Sequence, residues 1–323
     1  MKAAMLVSPG VVEARDAPTP EPGPNDVLVR VRAAGLNRAD AIMSTGAMHG
    51  SHGGPGTILG IECAGEIERV GANARDFKKG DRVMCSGGGA FAEYAVIPTQ
   101  RVNAAPASLD WRQAGSMPVA MQTMHDAIMT NGGLKPGESV LIQGASSGVG
   151  LLGLQIAKAM GAGVVLGTSS NAERRGKLKD FGADVAIDAS DPQWPDHVKE
   201  ATGGKGVDLI VDMVSGGVAN GNLRAAALLG RIVNVGRLGG VSGEFDYDLH
   251  ALKRIKYIGV TFRTRTLDEV GEVVRRARAD LYDAVAAGKL RLPISSVWPL
   301  AKAGEALAHM RANRHFGKIV LEM

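Results

Sequence analysis

Hydrophobic and polar positions alternate along this chain with two different periods. Up to about residue 115, short segments alternate apolar and polar side chains, as half-buried β-strands do. Three such segments span residues 27–32, 64–70 and 92–97, and runs rich in Gly, Pro, Asn and Asp separate them. This part of the chain is therefore predicted to form a compact, barrel-like β-domain.

From about residue 119, apolar segments of strand length alternate with segments of helical period. We predict helices after Gly148 and over residues 171–181, and strands over residues 140–143, 164–167, 185–187, 209–212, 232–235 and 257–260. This order is typical of a doubly wound parallel sheet. Beyond residue 260 the pattern predicts two amphipathic helices and then a terminal strand at residues 318–321.

The change of period and its later reversal predict two domains in an α/β chain. A length of 323 residues provides enough apolar material for two cores. We place a parallel-sheet domain at residues 119–261, inserted in a β-rich domain that residues 1–118 and 262–323 form together.

A glycine-rich turn joins the first strand and the first helix of the inserted domain. Residues 143–150 read QGASSGVG. Glycine lets the backbone approach phosphate groups, and the helix N-terminus offers unpaired N–H groups and the positive end of its dipole. Such a turn between strand and helix is typical of dinucleotide-binding domains. The candidate contacts of a coenzyme pyrophosphate are Gly144, Ser146, Ser147, Gly148 and Val149.

The end of the second strand of this domain indicates which dinucleotide would bind. Domains that bind NAD place a carboxylate there, on the adenosine ribose. Here residues 168–171 read TSSN, and Arg174 and Arg175 follow. Hydroxyls, an amide and a guanidinium suit a 2′-phosphate, which a carboxylate would repel. We therefore predict NADPH as the cofactor, bound by Ser170, Asn171 and Arg174, and we interpret Arg175 as a solvated helix charge.

Composition and charge leave one alternative open. The net charge is only +4, although the pI is near 9.1. Residues 253–278 hold eight basic and three acidic side chains, a local excess of five positive charges. The alternative to an enzyme is a nucleic-acid-binding or structural protein that retains NADPH binding. Solvated charges and cofactor-pocket arginines are the simpler interpretation of this run.

Neither export nor a membrane span is expected from the sequence. The apolar segment at residues 3–7 is too short for the core of a signal peptide, and no apolar run approaches ~20 residues. We therefore expect a cytoplasmic protein. The two cysteines, Cys63 and Cys85, lie outside any C-x-x-C pattern, so we expect buried thiols and no zinc site.

Several segments together carry a resemblance to a known family. They are residues 34–40 (AGLNRAD), 59–65 (LGIECAG), 80–83 (GDRV), 143–150, 181–184 (FGAD) and 317–320 (GKIV). In this order they resemble the quinone oxidoreductase (zeta-crystallin-like) branch of the medium-chain dehydrogenase/reductase superfamily, over essentially the whole chain. The resemblance implies a GroES-like β-rich catalytic domain with an inserted Rossmann domain. Residues 260–266 look most similar to the enoyl and quinone reductases of this branch.

The resemblance also implies a zinc-independent reaction. Zinc-dependent members carry Gly-His-Glu where this chain has Gly60-Ile61-Glu62, and a metal-binding Cys where it has Asn37-Arg38. Oxidation of an alcohol benefits from a Lewis acid, whereas hydride addition to an electron-poor acceptor does not need one. We expect hydride transfer to a quinone or to the activated C=C bond of an α,β-unsaturated carbonyl.

The resemblance assigns Asn37 as the catalytic residue. In relatives this side chain reaches the nicotinamide end of the coenzyme and the substrate carbonyl, and an amide can donate to a developing enolate oxygen; the alternative is that Asn37 caps a turn. Further coenzyme contacts implied in this way are Thr123, Val235, Gly236, Phe262, Arg263 and Asn313. Ile42 and Met48 stand where many relatives have tyrosines, so solvent is expected to supply the proton. The family also implies a homodimer, which the strand at residues 257–260 would join.

Overall fold

The computed structural model describes residues 1–50 and 52–323, and it divides into two compact units. Unit 1 comprises Met1–Ala120 and Phe262–Met323, and unit 2 comprises Met121–Thr261. The first boundary lies two residues after the one predicted from the change of period. Each unit has its own sheet and its own core.

Unit 1 is built mainly from antiparallel strands. Its strands are β1 (Lys2–Ser8), β2 (Val11–Asp16), β3 (Asp26–Gly35), β4 (Glu62–Val70), β5 (Arg82–Ser86), β6 (Tyr94–Pro98), β7 (Val102–Ala104), β14 (Ile294–Pro299) and β15 (Lys318–Glu322). Strands β1 and β2 form a hairpin, the large sheet has the order β14-β15-β3-β4-β5-β7, and β6 pairs with β3. The terminal strand predicted at residues 318–321 therefore lies in the large sheet, between β14 and β3.

The helices of unit 1 are short except for one. They are α1 (Arg38–Met43), α2 (Trp111–Ala114), α9 (Leu267–Ala286) and α10 (Ala303–Arg311). Helix α9 is one of the two amphipathic helices predicted beyond residue 260, and its buried face includes Val270, Val273, Val274, Ala277 and Leu281. Helix α10 packs Ala306, Leu307 and Met310 into the core around Phe91.

Unit 2 contains a six-stranded parallel sheet. Its strands are β8 (Ser139–Gln143), β9 (Val164–Ser169), β10 (Val185–Asp188), β11 (Val207–Asp212), β12 (Ala226–Asn234) and β13 (Lys256–Gly259). Their order is β10-β9-β8-β11-β12-β13, the order of a dinucleotide-binding sheet. Its helices are α3 (Pro118–His125), which begins in unit 1, α4 (Gly148–Ala159), α5 (Ala172–Gly176), α6 (Trp194–Ala201), α7 (Ala219–Ala225) and α8 (Tyr247–Lys253). The α/β fold class, with GroES-like and Rossmann parts, is thus confirmed.

Two predicted elements of unit 2 differ from the observed ones. The helix predicted over residues 171–181 is two pieces, α5 and a 3₁₀ turn at Leu178–Phe181, because Gly176 is a poor helix former at the point where the first piece ends. The strand predicted at residues 232–235 begins at Ala226 instead. Alanine, leucine and glycine at its start give no alternating pattern, and the pairing of Val207 with Ala226 decides the boundary.

Among the described residues, no helix is both long enough and apolar enough to cross a membrane.

Candidate functional site

Unit 2 has a candidate coenzyme site at the edge where its parallel strands end. Strand order reverses between β8 and β11, and in such sheets ligands bind at the carboxyl ends of the strands beside this reversal. Gln143 ends β8, Ser169 ends β9 and Asp212 ends β11. Helix α4 begins at Gly148, directly after the glycine turn.

Local hydrogen bonds hold the glycine turn closed. Ser147 caps α4, since its Oγ accepts from the N–H of Gly150 at 3.1 Å and donates to the carbonyl of Gly144 at 3.0 Å. Gly144 has φ +69°, and a Cβ on Gly150 would lie 2.7 Å from the Cα of Ala145. Glycine is therefore required at both positions, one for conformation and one for space.

The turn leaves specific backbone donors for a ligand. The N–H of Gly144 donates to Thr168 Oγ1 at 3.0 Å, so Gly144 contributes conformation more than a phosphate contact. The N–H groups of Gly148 and Val149 stand in the first turn of α4, where no intrahelical acceptor exists. This geometry fits a dinucleotide pyrophosphate.

The end of β9 carries the residues predicted to select the phosphorylated coenzyme. Ser170 and Asn171 are exposed, and Asn171 caps α5 because its Oδ1 accepts from the N–H of Arg174 at 2.9 Å. The guanidinium of Arg175 instead donates to the carbonyl of Ser169 at 3.1 Å and pairs with Asp188 at 3.0 Å. Arg175 therefore ties β9 to β10 and is not the simple solvated charge that we expected.

The remaining predicted contacts in unit 2 lie on two other elements. Thr123 is half-buried on α3. Val235 and Gly236 follow β12, and their N–H groups both donate to the backbone carbonyl of Asp212, at 2.8 and 3.1 Å. A Cβ on Gly236 would lie 2.6 Å from the carbonyl oxygen of Met213. This segment is thus fixed against the end of β11.

Unit 1 has a candidate site of its own, a buried polar cluster formed by Asn37, Asp40, Glu62 and Lys318. The exposed fraction of these residues is 6%, 0%, 0% and 3%. The ammonium of Lys318 donates to Glu62 Oε1 at 2.5 Å, to Asn37 Oδ1 at 3.0 Å and to the carbonyl of Leu36 at 2.8 Å. All three donors of the buried cation are therefore satisfied.

The same cluster fixes the orientation of the Asn37 amide. Asn37 Nδ2 donates to Glu62 Oε1 at 2.8 Å and to the carbonyl of Gly35 at 3.3 Å, while Oδ1 faces Lys318. Both amide hydrogens are thus engaged within unit 1. Asn37 also occupies the N-cap position of α1, and its N–H donates to Asp40 Oδ2 at 2.8 Å.

Burial dominates the titration of two carboxyl groups. Complete burial raises the pKa of Asp40 to about 7, although the N–H of Asn37 and the charge of Lys318 oppose the change. Burial also raises the pKa of Asp212, against the N–H groups of Ser215 and Val214 and the amide of Asn222.

The other predicted residues of unit 1 lie in two loops. Asn313 adopts φ +54°, and its Oδ1 accepts from Arg38 Nη2 at 2.6 Å. The guanidinium of Arg265 lies 5.1 Å from the centre of the Phe262 ring. A Cβ on Gly50 would lie 3.0 Å from the carbonyl oxygen of Arg263.

Sequence reasoning did not find the partners of these residues. It singled out Asn37 but not Glu62 or Lys318, and it did not use Gln143, Asn222 or Asp212. One signal was present, because Glu62 and Lys318 are charged residues within apolar strand patterns. Charged residues are rarely buried without a partner, so each indicated that a partner of opposite charge should exist, without identifying it.

Comparison with known proteins supplies the family. Residues 23–107 match the alcohol dehydrogenase GroES-like domain, and residues 148–278 match the zinc-binding dehydrogenase domain. The chain is 34% identical to human quinone oxidoreductase over 301 residues, which cover 92% of this chain and 89% of the relative. The chain belongs to the quinone oxidoreductase family of the medium-chain dehydrogenase/reductase superfamily. It is an oxidoreductase by this membership.

Solved structures of similar proteins carry different descriptions. A mycobacterial protein solved as a complex with NADPH superimposes with a TM-score of 0.88 at 28% identity, over 100% of both chains. A protein described as an NAD-dependent alcohol dehydrogenase gives 0.86, also at 28% identity and over 100% of both chains. The preference of this oxidoreductase between coenzymes must therefore be argued from its own residues.

Two structural facts bear on the other sequence predictions. Cys63 and Cys85 are free, buried thiols that face each other across β4 and β5, and residues 1–50 and 52–323 contain no group of three or more His, Cys, Asp or Glu suited to a metal. Within the basic run, Lys253 donates to three backbone carbonyls near the end of α7. Arg275 and Arg276 both pair with Glu272. Several of these cations thus already have partners in the fold.

Proposed function

We propose that this oxidoreductase uses NADPH to reduce a quinone or the activated C=C bond of an α,β-unsaturated carbonyl. The observation that carries the coenzyme assignment is the end of β9. No carboxylate occurs in residues 168–171, and the first one after them, Glu173, is exposed and paired with Lys177 at 2.7 Å. A ribose 2′-phosphate would meet Ser170, the Asn171 amide and Arg174 there.

The chain's own residues would divide the work as follows. The first turn of α4, with its unpaired N–H groups, would bind the pyrophosphate, and the segment at Val235 and Gly236, fixed on the carbonyl of Asp212, would border the nicotinamide. Bound NADPH supplies a hydride. Lys318 and Glu62 would keep the Asn37 side chain in place. To bind the acceptor carbonyl, Asn37 would turn one amide hydrogen away from the carbonyl of Gly35, its longest bond at 3.3 Å, and solvent would provide the proton. In this scheme the main contribution of the protein is to position the coenzyme and the acceptor relative to each other.

Titration of both coenzymes tests the assignment at β9. We expect Arg174→Ala to weaken NADPH binding roughly ten- to a hundredfold, the loss of one charge-assisted bond, and to leave NADH binding unchanged. Lys179→Ala removes an equal charge from the following exposed turn and serves as the control. An unchanged NADPH dissociation constant in Arg174→Ala would refute the assignment.

Acceptor panels test the reaction. NADPH consumption is measured with a set of small quinones and, separately, with a set of enones and acryloyl-type thioesters. Turnover with one set and not the other identifies the acceptor class. Failure to turn over either set, by a protein that binds NADPH, would contradict the proposed reaction.

We further propose a homodimer joined through unit 2. Strand β13 is an edge of the sheet, and large apolar side chains are exposed in the segments before it. These are Leu228 (59%), Leu229 (58%), Val241 (90%), Tyr247 (77%) and Leu252 (72%). Light scattering should give twice the 33.6 kDa chain mass, and Leu252→Asp with Val241→Asp should reduce it to one chain. A single-chain mass for the wild type would refute the dimer.

A further inference from the structure

A continuous chain of buried hydrogen bonds crosses unit 2 beneath the candidate coenzyme site. The N–H of Gly144 donates to Thr168 Oγ1 (3.0 Å), Thr168 donates to Gln143 Oε1 (2.7 Å), Gln143 Nε2 donates to Asn222 Oδ1 (2.8 Å), and Asn222 Nδ2 donates to Asp212 Oδ2 (3.0 Å). The side chains of these residues are buried, with at most 1% of any exposed. The chain therefore links the glycine turn to the end of β11.

The direction of this chain is fixed at both ends. A backbone N–H can only donate, so the Thr168 hydroxyl accepts from Gly144 and must give its own hydrogen to Gln143. The Gln143 and Asn222 amides are then each oriented with oxygen toward Gly144 and nitrogen toward Asp212. The last member has to be a pure acceptor, and an ionised carboxylate is the side chain that meets this requirement.

Asp212 also fixes the second coenzyme segment. Its Oδ1 accepts from the N–H groups of Val214 and Ser215, at 2.8 and 2.9 Å, and its backbone carbonyl accepts from Val235 and Gly236. Ser215 is held at φ +58°, a conformation that costs a non-glycine residue free energy, and its hydroxyl donates to the carbonyl of Gly236 at 2.6 Å. The Asp212 carboxylate is thus connected by hydrogen bonds to the glycine turn, through Asn222, and to the segment at Gly236, through Ser215.

We infer that Asp212 is a positioning residue for the coenzyme, because it sets the glycine turn through Asn222, Gln143 and Thr168 and sets the segment at Gly236 through Ser215. This inference rests on the proposed use of NADPH. It adds that NADPH affinity depends on the donor-to-acceptor direction of a buried series of hydrogen bonds. Asp212, which ends this series, is not among the predicted coenzyme contacts.

Reversing the polarity at Asp212 is the decisive change. In Asp212→Asn, the new amide keeps one oxygen for Val214 and Ser215 and turns its nitrogen toward the Asn222 nitrogen. The two facing amide nitrogens can be separated only if the amides of Asn222 and Gln143 both flip. The Thr168 hydroxyl then accepts from both Gly144 and Gln143, and its buried hydrogen has no acceptor. We expect the dissociation constant for NADPH to rise roughly tenfold, as fluorescence titration measures.

A second substitution should restore the polarity. In Asp212→Asn with Asn222→Asp, the carboxylate moves one place along the chain and accepts from Gln143 on one side and from the new Asn at 212 on the other. The donors from Gly144 to Gln143 then keep their original direction. We expect NADPH affinity to return to within about threefold of the wild type. Rescue of this kind would not follow from a general loss of stability.

Asp208→Asn is the matched control. Asp208 lies on the same strand but at its other end, where Oδ2 accepts from the N–H and hydroxyl of Ser139 at 2.8 and 2.7 Å. It should lower the unfolding midpoint and leave NADPH affinity within twofold of the wild type. Thr168→Val removes the hydroxyl that joins Gly144 to Gln143 and so interrupts the series of hydrogen bonds at the glycine turn. It provides the same test if Asp212→Asn does not fold.

The outcomes separate this inference from the proposed function. A wild type that binds no NADPH would refute the proposed function. A wild type that binds NADPH, with Asp212→Asn or Thr168→Val unchanged in affinity, would refute the inference alone. Weakened binding that the double substitution fails to rescue would contradict the polarity argument, whereas weakened binding with rescue supports it.

Discussion

The two units bury polar groups in different ways. In unit 1 two opposite charges, Lys318 and Glu62, lie 2.5 Å apart with almost no exposure. In unit 2 a single carboxylate, Asp212, is stabilised by N–H groups and one neutral amide. In a buried ion pair, each charge is stabilised by the other. A buried carboxylate without a counter-charge is stabilised by neutral donors, so its stability depends on how they are oriented. The units should therefore respond differently to substitution.

The largest effect is expected from breaking the ion pair in unit 1. Lys318→Met leaves the Glu62 carboxylate buried without its counter-charge, and we expect the free energy of unfolding to fall by about 3–5 kcal/mol. Lys318→Met combined with Glu62→Leu removes both charges and should recover most of this loss. Denaturant unfolding measures both variants.

An exposed pair provides the control for that comparison. Lys79 and Glu68 are also within ion-pair distance, but the Lys79 side chain is 71% exposed. Lys79→Met should leave the unfolding midpoint unchanged, because solvent screens such pairs. Equal effects of Lys79→Met and Lys318→Met on the unfolding midpoint would show that burial does not account for the destabilisation caused by breaking the Lys318–Glu62 pair.

Asp40 should contribute to the pH dependence of stability, with the same sign as Asp212, whose pKa burial also raises. The pKa of Asp40 is about 7 in the folded state against an ordinary value of 3.8. The folded state therefore keeps a proton that the unfolded state loses, so the free energy of unfolding falls as pH rises from about 4 to 7, by roughly 4 kcal/mol. Above the folded pKa this group adds no further change.

Asp40→Asn should remove the Asp40 contribution to this slope and leave that of Asp212. The amide is neutral at every pH, and its oxygen can still accept from the N–H of Asn37. Urea unfolding at about pH 5, 6 and 8 compares the variant with the wild type. A slope as steep in Asp40→Asn as in the wild type would assign the pH dependence to another group.

The smallest effect is expected at the strained turn of unit 2. Ser215→Ala keeps a side chain at φ +58° and loses the hydroxyl bond to Gly236, so it should destabilise by about 1–2 kcal/mol. Ser215→Gly loses the same bond but relieves the backbone, and should be the more stable of the two by roughly 1 kcal/mol. Equal stabilities would mean that this backbone conformation carries no strain.

Much of the fold was predictable from local pattern. The strands of unit 2, helix α9 and the glycine turn each have a period or composition that determines the element by itself. The hairpin of β1 and β2 and the short helices α1 and α2 were not predicted. Helices of this length gain little from propensity, and capping residues such as Asp110 with Gln113 decide them.

The candidate site was predictable only in part. Gly144, Ser147 and Asn37 were identified because their roles are written in a local motif or in a family resemblance. Lys318 lies 256 residues from Glu62 in the sequence, and Asn222 lies 79 residues from Gln143. No local pattern encodes such partners, because they meet only when distant strands enter the same sheet, as for Glu62 and Lys318, or when a helix packs against a strand, as for Asn222 and Gln143.

The sequence by itself determined the order of elements, the phosphate-binding turn and the lack of a carboxylate after β9. These depend on backbone freedom, hydrophobic period and residue type, which are local properties. Only the tertiary structure decided that Asn37 has both amide hydrogens engaged, that Arg175 holds two strands together and that Asp212 terminates a directed chain. Those facts depend on which donors and acceptors are buried next to one another, and the packing of each unit's own core decides that.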